Sequence, residues 1–307
     1  MDLHQLEYIL AIEQEGSVSK AAKKLYITQS ALNQQLLKLE QELGTPLFER
    51  RNRRMVPTLA GRIYLSTASR MMDMKQETYK IIHDISEENS GEISLAYTPE
   101  AGARMFAAVY PLFHRQYPNI TFRIHEARNK KMEQLVLQKT VSFAFSSYYE
   151  MSRHPDLDYL DMATEYMVLA VPETHHLAPL AGENSWETLP IINLNLFQND
   201  PFVLCSKETL LRDMIDYCFS RVGLSPKILF ESTSTHTIVS MISQQIAPGF
   251  LPQSYAKPGQ NMVYFTVPPQ LQWVLAISSR KGMYLTKPEK YFIALAMNQI
   301  RGIPLNP

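Results

Sequence analysis

SVSKAAKKLYITQSALNQQLLKLEQELGTPLFERRNRRMVPTLAG, residues 17–61, decides the fold of the first part of this chain. Ahead of it, Leu6, Ile9 and Leu10 share a helical face, and Gly16 stops that helix. Ser17 or Ser19 caps a second helix that buries Ala21, Ala22 and Leu25. Tyr26-Ile27 makes a short turn. Thr28 then caps a third helix that buries Ala31, Leu32, Leu36, Leu39 and Leu43 before Gly44 ends it. The opposite face of that helix shows Gln29, Ser30, Asn33, Gln34 and Lys38. Helix, short turn and helix with an amide face form the helix-turn-helix pattern. A carboxamide offers a donor and an acceptor together, which suits an adenine edge in the major groove. A small helical bundle with a solvated face would show the same periodicity, so the flanking residues must decide.

Beyond Pro46-Leu47-Phe48 lies the run Arg50, Arg51, Asn52, Arg53 and Arg54, followed by Met55-Val56 and a Pro57-Thr58 helix start. At this distance from a helix-turn-helix it reads as a basic β-wing, whose arginines would bind phosphate or enter the minor groove. Charge sorting agrees. Residues 17–39 hold four lysines and no acid, and residues 50–72 hold six arginines and no acid. The whole chain of 307 residues nevertheless balances, with 30 Lys+Arg against 30 Asp+Glu. Its length suggests two domains, and 45% apolar residues fit a globular chain. Two cysteines cannot build a disulfide framework, which fits a reducing compartment. The opening MDLHQLEYILAIEQE lacks the basic region of a signal peptide, and the longest uncharged stretch, Ser232 to Ala256, is too polar to span a bilayer. A cytoplasmic location and no membrane partner are expected.

These residues resemble the winged helix-turn-helix of LysR-type transcriptional regulators. The family pattern of an AA-xx-L helix, an S/T-Q-x-A-L helix start, LE-xx-LG-xx-LF-x-R and T-xx-G is met by Ala21-Ala22, Leu25, Thr28-Gln29, Ala31-Leu32, Leu39-Glu40, Leu43-Gly44, Leu47-Phe48, Arg50, Thr58 and Gly61. The resemblance implies base contacts from Gln29, Ser30, Asn33 and Gln34. It implies backbone contacts from Ser17, Thr28, Lys38, Arg50, Arg51, Arg53 and Arg54. Ser30 stands where most members have Pro, and Asn33-Gln34 where many have Ser-Arg. Gln in place of Arg removes a bidentate guanine reader, so a more A·T-leaning half-site is expected.

From Leu59 to about Glu88 only Gly61 interrupts a helical composition, enough for a helix of ~45 Å. Tyr64, Thr67, Met71, Met74, Thr78, Ile81 and Ile85 repeat at three and four, a heptad-like stripe suited to joining two chains. The expected organisation is a DNA-binding domain at 1–58, a linker helix at 59–88, a hinge at 89–91 and a larger domain at 92–307.

In that larger domain, strands alternate with helices, which argues for an α/β, mostly parallel sheet. Strands are expected at Ile93–Tyr97, Ile120–His125, Val141–Phe145, Tyr166–Val171, Ile191–Leu194, Phe202–Leu204, Ile228–Phe230 and Trp273–Ser278. The segments LFHRQYPNITF, YMVLAVPETHHLA, GFLP and SRKGMYLTKPEKYFIALA resemble the effector-binding domain of the same family, a two-lobed fold like a periplasmic binding protein. Lobe I would span about 92–163 and 268–307, and lobe II about 164–267. Ligands of such folds sit at strand ends beside helix N-termini. That points to Thr98, Arg128, Asn129, Ser146, Ser147, Ser206, Thr233, Ser234 and Thr235 as effector-binding residues. Arg104 and Arg128 could pair a carboxylate, but Glu100 in the first turn after Thr98 would repel one. A neutral or weakly anionic effector is expected.

No catalytic constellation, zinc spacing, phosphate loop or dinucleotide fingerprint is present, so no enzyme activity, metal or cofactor is expected. His175-His176 lie beside a predicted loop without a nucleophile or carboxylate pattern. Cys205 and Cys218 leave open a thiol-based redox sensor of the same family, although Lys207 is the only base near Cys205 in sequence. A solute-binding protein without regulatory role is a more remote alternative. The resemblance implies double-stranded DNA bearing an interrupted palindrome, a small organic effector, a homodimer or homotetramer, and RNA polymerase as a partner if the chain is an activator.

Overall fold

The structure is a computed structural model that describes residues 2–86, 90–149, 152–182, 189–207, 209–257 and 259–302. It forms two compact units, Met1–Glu87 and Glu88–Pro307. Among the described residues no helix is long and apolar enough to cross a membrane.

The first unit packs three helices, α1 (Leu3–Glu15), α2 (Val18–Lys24) and α3 (Gln29–Leu43), against the start of a long α4 (Leu59–Ile85). Each short helix is bounded by its own chemistry. Asp2 and Gln5 make a capping box on α1, and Gly16 ends it in the left-handed conformation. Ser17 caps α2 and Thr28 caps α3. Leu6, Ile9, Ile12, Ala21, Ala22, Leu32, Leu36 and Leu39 form the core. Ala31 and Leu43, expected inside, are exposed, because the buried stripe of α3 is the narrower Leu32–Leu36–Leu39 seam. Strands β1 (Phe48–Arg51) and β2 (Arg54–Pro57) form an antiparallel hairpin. Its two-residue turn, Asn52-Arg53, has both φ angles positive, the geometry that matches strand twist.

Helix α4 starts where Thr58 accepts the Gly61 N–H at 3.0 Å and donates to the Pro46 carbonyl at 2.8 Å. It has 27 residues, so it runs ~40 Å. Lys75 pairs with Glu7 at 3.3 Å and ties α4 to α1. The expected stripe splits. Tyr64 packs into this unit's own core with Leu65 and Ala68, while Thr67, Met71, Met74 and Thr78 are exposed and Ile81 is half-buried. The Ile85 side chain, Glu88 and Asn89 lie outside the described residues, and Ser90-Gly91, expected as hinge, begin a strand.

The second unit is built on one nine-stranded sheet of order β4-β3-β5-β11-β6-β9-β7-β8, with β10 also on β6. The strands are β3 (Ser90–Tyr97), β4 (Asn119–Glu126), β5 (Phe143–Tyr148), β6 (Leu157–Pro172), β7 (Pro201–Cys205), β8 (Lys227–Ser232), β9 (Gly249–Pro252), β10 (Met262–Phe265) and β11 (Gln272–Arg280). Helices α5 (Ala101–Gln116), α6 (Asn129–Leu137), α7 (Leu210–Arg221), α8 (Thr235–Ser243) and α9 (Lys287–Gly302) cover its faces. The sheet is mixed, not mostly parallel. β3 pairs β4 and β5 in parallel, and β7 pairs β8 and β9 in parallel. The long strands β6 and β11 pair antiparallel with each other, β11 also with β5, and β6 also with β9 and β10.

β6 begins sixteen residues of continuous strand where only Tyr166–Val171 was expected. After the buried Leu157, residues 158–164 are exposed or half-buried, while Met167–Val171 are buried throughout, so the burial pattern changes within one strand. Ile191–Leu194 is not a strand. Ile191 makes a single bridge to Thr266, and the Asn193 side chain accepts the Asn195 N–H, turning the chain into a 3-10 helix at Leu194–Phe197. Phe113, Phe143 and Phe292 center one core beneath α5 and α9, and Phe197, Phe202 and Phe219 another beneath α7.

Candidate nucleic-acid interface and ligand cleft

The amide face of α3 stands clear of the core. Gln29, Ser30, Asn33, Gln34 and Lys38 are all exposed. Thr28 Oγ1 accepts the Ala31 N–H at 3.2 Å and lies 3.2 Å from Ser30 Oγ. Ser17 Oγ accepts the Lys20 N–H at 3.4 Å. These hydroxyls therefore shape helix starts, and one proton of the Thr28–Ser30 pair is shared between the two oxygens. Ala31, exposed between Ser30 and Asn33, adds a methyl to this face that periodicity had assigned to the core.

Arg50, Arg51, Arg53 and Arg54 are exposed on the hairpin. Arg51 is half-neutralised by Glu49 at 2.7 Å, as Lys24 is by Glu15 at 3.1 Å. The hairpin is fixed by a residue that composition treats as merely acidic. Glu40 on α3 accepts the N–H groups of Leu47 at 2.7 Å and Phe48 at 3.2 Å. Met55 donates to the Gly16 carbonyl at 2.9 Å. Wing and amide face are thus held on one frame, with Glu40 bonded to the backbone at the base of the hairpin.

In the second unit, a cavity of about 760 Å³ lies against the antiparallel pair β6–β11 and the starts of α5, α6, α7 and α8. Thr98, Arg128, Asn129, Ser146, Ser147, Thr233, Ser234 and Thr235 line it. Ser206 does not. Its N–H continues the β7–β8 ladder to Ser232 and its carbonyl accepts Thr209, so Thr209 takes the place at the cavity wall. Asn129 and Ser147 satisfy each other through two hydrogen bonds of 2.8 and 3.2 Å. Arg128 donates to the Lys207 carbonyl at 3.3 Å.

Sequence reasoning missed Glu165, Tyr255 and Trp273, which also line the cavity. Glu165 is 5% exposed and accepts N–H groups of Tyr166 and Ser254, each at 3.2 Å. Burial raises its carboxyl above the ordinary range. Burial, then the nearby Glu100, pushes the Tyr255 hydroxyl up to about 12. The Arg104 guanidinium lies 5.3 Å from the Tyr255 ring center. Glu165 faces Trp273 across the β6–β11 pairing, a juxtaposition that no local pattern encodes. Glu100 turns out to face a donor: its carboxylate accepts the Thr235 N–H at 2.8 and 3.1 Å.

The cysteines are placed unlike reactive thiols. Burial raises Cys205, and burial pushes Cys218 up to about 11 in the α7 core. Both are free. The cation near Cys205 is Arg212, 3% exposed, whose guanidinium is spent on the Cys205 carbonyl, Asp216 and Glu231.

The sequence showed no carboxylate beside His175-His176, but the fold brings Asp200 to 3.6 and 3.9 Å from them. Leu177 donates its N–H to His175 Nδ1 at 3.3 Å, so the neutral ring carries its proton on Nε2, facing Asp200. The three side chains thus form a compact His-His-Asp cluster, the ring nitrogens of His175 and His176 each within 4 Å of one Asp200 oxygen.

Comparison with known proteins matches both units. Residues 3–62 match the profile described as a bacterial regulatory helix-turn-helix protein of the lysR family, and residues 86–301 match the LysR substrate binding domain. A Bacillus subtilis (strain 168) relative, named as the uncharacterized HTH-type transcriptional regulator YybE, is 27% identical over 293 residues, covering 95% of this chain and 97% of its own. The solved structure of a full-length OxyR variant from Pseudomonas aeruginosa is similar at a TM-score of 0.63 and 20% identity, over 100% of this chain and 96% of that one. The effector binding domain of QuiR in complex with shikimate is similar at 0.54 and 21% identity, over 69% of this chain and 98% of that one. The chain belongs to the LysR family, as a DNA-binding transcriptional regulator with an N-terminal helix-turn-helix and a C-terminal effector-binding domain.

Proposed function

We propose that this regulator reads an interrupted palindrome in double-stranded DNA through α3 and controls transcription in response to a small organic molecule bound in the cleft. Gln29, Ser30, Asn33 and Gln34 contact base edges, and the Ala31 methyl suits a thymine methyl. Ser17, Thr28, Lys38, Arg50, Arg51, Arg53 and Arg54 hold the backbone or enter the minor groove. The observation that carries this reading is the exposed amide face of α3 beside an arginine-tipped hairpin, both braced by Glu40.

The ligand cleft lies between lobe I, about 92–163 and 268–307, and lobe II, about 164–267. Thr98, Arg128, Asn129, Ser146, Ser147, Thr233, Ser234 and Thr235 meet the ligand. The exposed Met71, Met74 and Ile82 of α4 support a homodimer or homotetramer through that helix, whose two-fold symmetry would match two half-sites. The chain acts in the cytoplasm without catalysis of its own, and engages RNA polymerase if it activates.

Fluorescence anisotropy with labelled DNA from upstream of its own gene, over a range of salt concentrations, tests this. Affinity should fall steeply with salt, and selected half-sites should lean toward A·T. Salt-independent binding, or strongly guanine-requiring half-sites, would contradict the assignment of the arginines or of Gln34.

A further inference from the structure

We infer that Glu100 is a built-in occupant of the cleft, and that it sets the charge class of the group the cleft accepts at its α8 end. The inference rests on the reading of this cleft as the effector site. Glu100 is the last residue before α5, beside the lobe I strand β3. Thr235 is the first residue of α8, on the lobe II side. One carboxylate oxygen of Glu100 accepts the Thr235 N–H at 2.8 Å, the other accepts it at 3.1 Å and the Tyr255 hydroxyl at 3.3 Å.

The start of a helix offers unpaired N–H groups and a positive dipole end, which is where a small carboxylate would bind. In α8 the chain fills that place itself. Glu100 takes the Thr235 N–H, and Ser234 takes the Thr237 N–H at 3.3 Å. The second carboxyl on the same wall, Glu165, is almost fully buried, and Arg104 is the cation beside Tyr255. A ligand carboxylate would have to evict Glu100 and leave it without its donor in a partly dry cavity. A neutral ligand with hydrogen-bond donors meets no such penalty. It would find acceptors in the Glu100 and Glu165 carboxylates on the cavity lining. At the α8 end the cleft therefore refuses a simple carboxylate and takes an uncharged, donor-bearing group, so that any carboxylate must be met by the cations elsewhere on the lining, Arg104, Arg128, Lys130 and Lys257. Glu100 meanwhile links the two lobes without any ligand.

Chemical rescue in the full-length protein tests this, read by the thermal midpoint of tryptophan fluorescence with ionic strength held constant by chloride. Sodium acetate and acetamide are the probes. Wild type should respond to neither. E100A should melt about 3–10 °C lower. Acetate should restore much of that loss saturably, whereas acetamide should not. E100Q, whose amide still fills the place, should be insensitive to acetate.

T235P removes the N–H at a first helical position where proline is well tolerated, and T235V, which loses the hydroxyl but keeps the N–H, controls for the side chain and should keep wild-type stability. T235P should lose stability without acetate rescue, and it keeps the inference testable if E100A does not fold. An E100A protein that melts like wild type and ignores acetate would overturn the inference. So would a wild type that gains as much from acetate as E100A does, or a T235P protein as stable as wild type. The rescue uses no effector, so it does not depend on the effector reading. A cleft ligand found alongside an acetate-blind E100A would overturn only the assignment of Glu100.

Discussion

Gly61→Ala gives the sharpest test of how the DNA-binding unit is held together. Helix propensity alone says that alanine near the start of α4 should gain about 1 kcal/mol. The structure reverses the sign. A Cβ on Gly61 would stand 2.0 Å from the Leu47 carbonyl oxygen and 3.0 Å from its carbon. That oxygen cannot simply turn aside, because it accepts the Thr58 N–H at 2.9 Å and the Thr58 hydroxyl at 3.3 Å. Relief requires α4 or the Leu47 peptide to retreat by about 1 Å or more. The retreat strains Leu47, which is 1% exposed in the core, and loosens the cap that starts α4. Overpacking costs about 1–3 kcal/mol and each weakened hydrogen bond about 0.5–1.5. Against the propensity gain, a net loss of about 2–4 kcal/mol is expected. In a unit of this size that lowers the melting midpoint by about 10–25 °C. The chain has two tryptophans, both beyond residue 88 in the sequence, and Trp273 is buried in the second unit, so tryptophan fluorescence supplies an internal control. Far-UV circular dichroism should show an earlier helical transition in the variant while the tryptophan transition stays in place. An unchanged or higher helical midpoint would refute the close-approach argument and leave Gly61 without a structural reason.

Arg50→Ala and Arg53→Ala should each weaken DNA binding about equally across sequences and reduce the salt slope by about 1, measured by anisotropy; an unchanged slope would remove that arginine from the phosphate contacts. Gln34→Arg should shift selected half-sites toward guanine, and unchanged half-sites would take Gln34 out of base contact. Both thiols should stay titratable after mild peroxide, since burial raises Cys205 and pushes Cys218 up to about 11; rapid loss of both into a disulfide would restore the redox reading. Burial raises Glu165, so the folded chain keeps a proton that the unfolded chain loses, and stability falls as pH rises from the ordinary carboxylate range through the raised value. Glu165→Gln should remove that fall and raise the urea midpoint at neutral pH, and a lower midpoint there would show that the carboxylate is needed for its two N–H contacts.

Much of the DNA-binding unit was legible because its information is local. Ser17 and Thr28 cap helices that begin at the next residue, and Gly16 and Gly44 end helices in the left-handed conformation. Leu32, Leu36 and Leu39 repeat at helical spacing. Ala31 and Leu43 were misassigned because a stripe read from sequence has no width, and only the neighbouring helices define how wide the buried face is. Tyr64 was read into a heptad for the same reason: the stripe was visible, but which partner it faced was not.

The cavity of the second unit was partly legible through strand ends and helix starts, which bracket Thr98, Asn129, Ser147 and Thr235 on its lining. Its chemistry was not. Glu100 and Thr235 are separated by 135 residues, Glu165 and Ser254 by 89, and Arg212 and Glu231 by 19. Nothing in a helical or strand period relates such positions. Nor did it reveal that β6 crosses from one half of the sheet to the other, since its two halves obey different burial patterns. By itself, residues 17–61 determined a helix-turn-helix with a basic wing, because caps, turns and hydrophobic spacing act over a few residues. Only the tertiary structure decided that the anion place at α8 is taken by Glu100, because a carboxylate and a helix end meet through the packing of two distant strands.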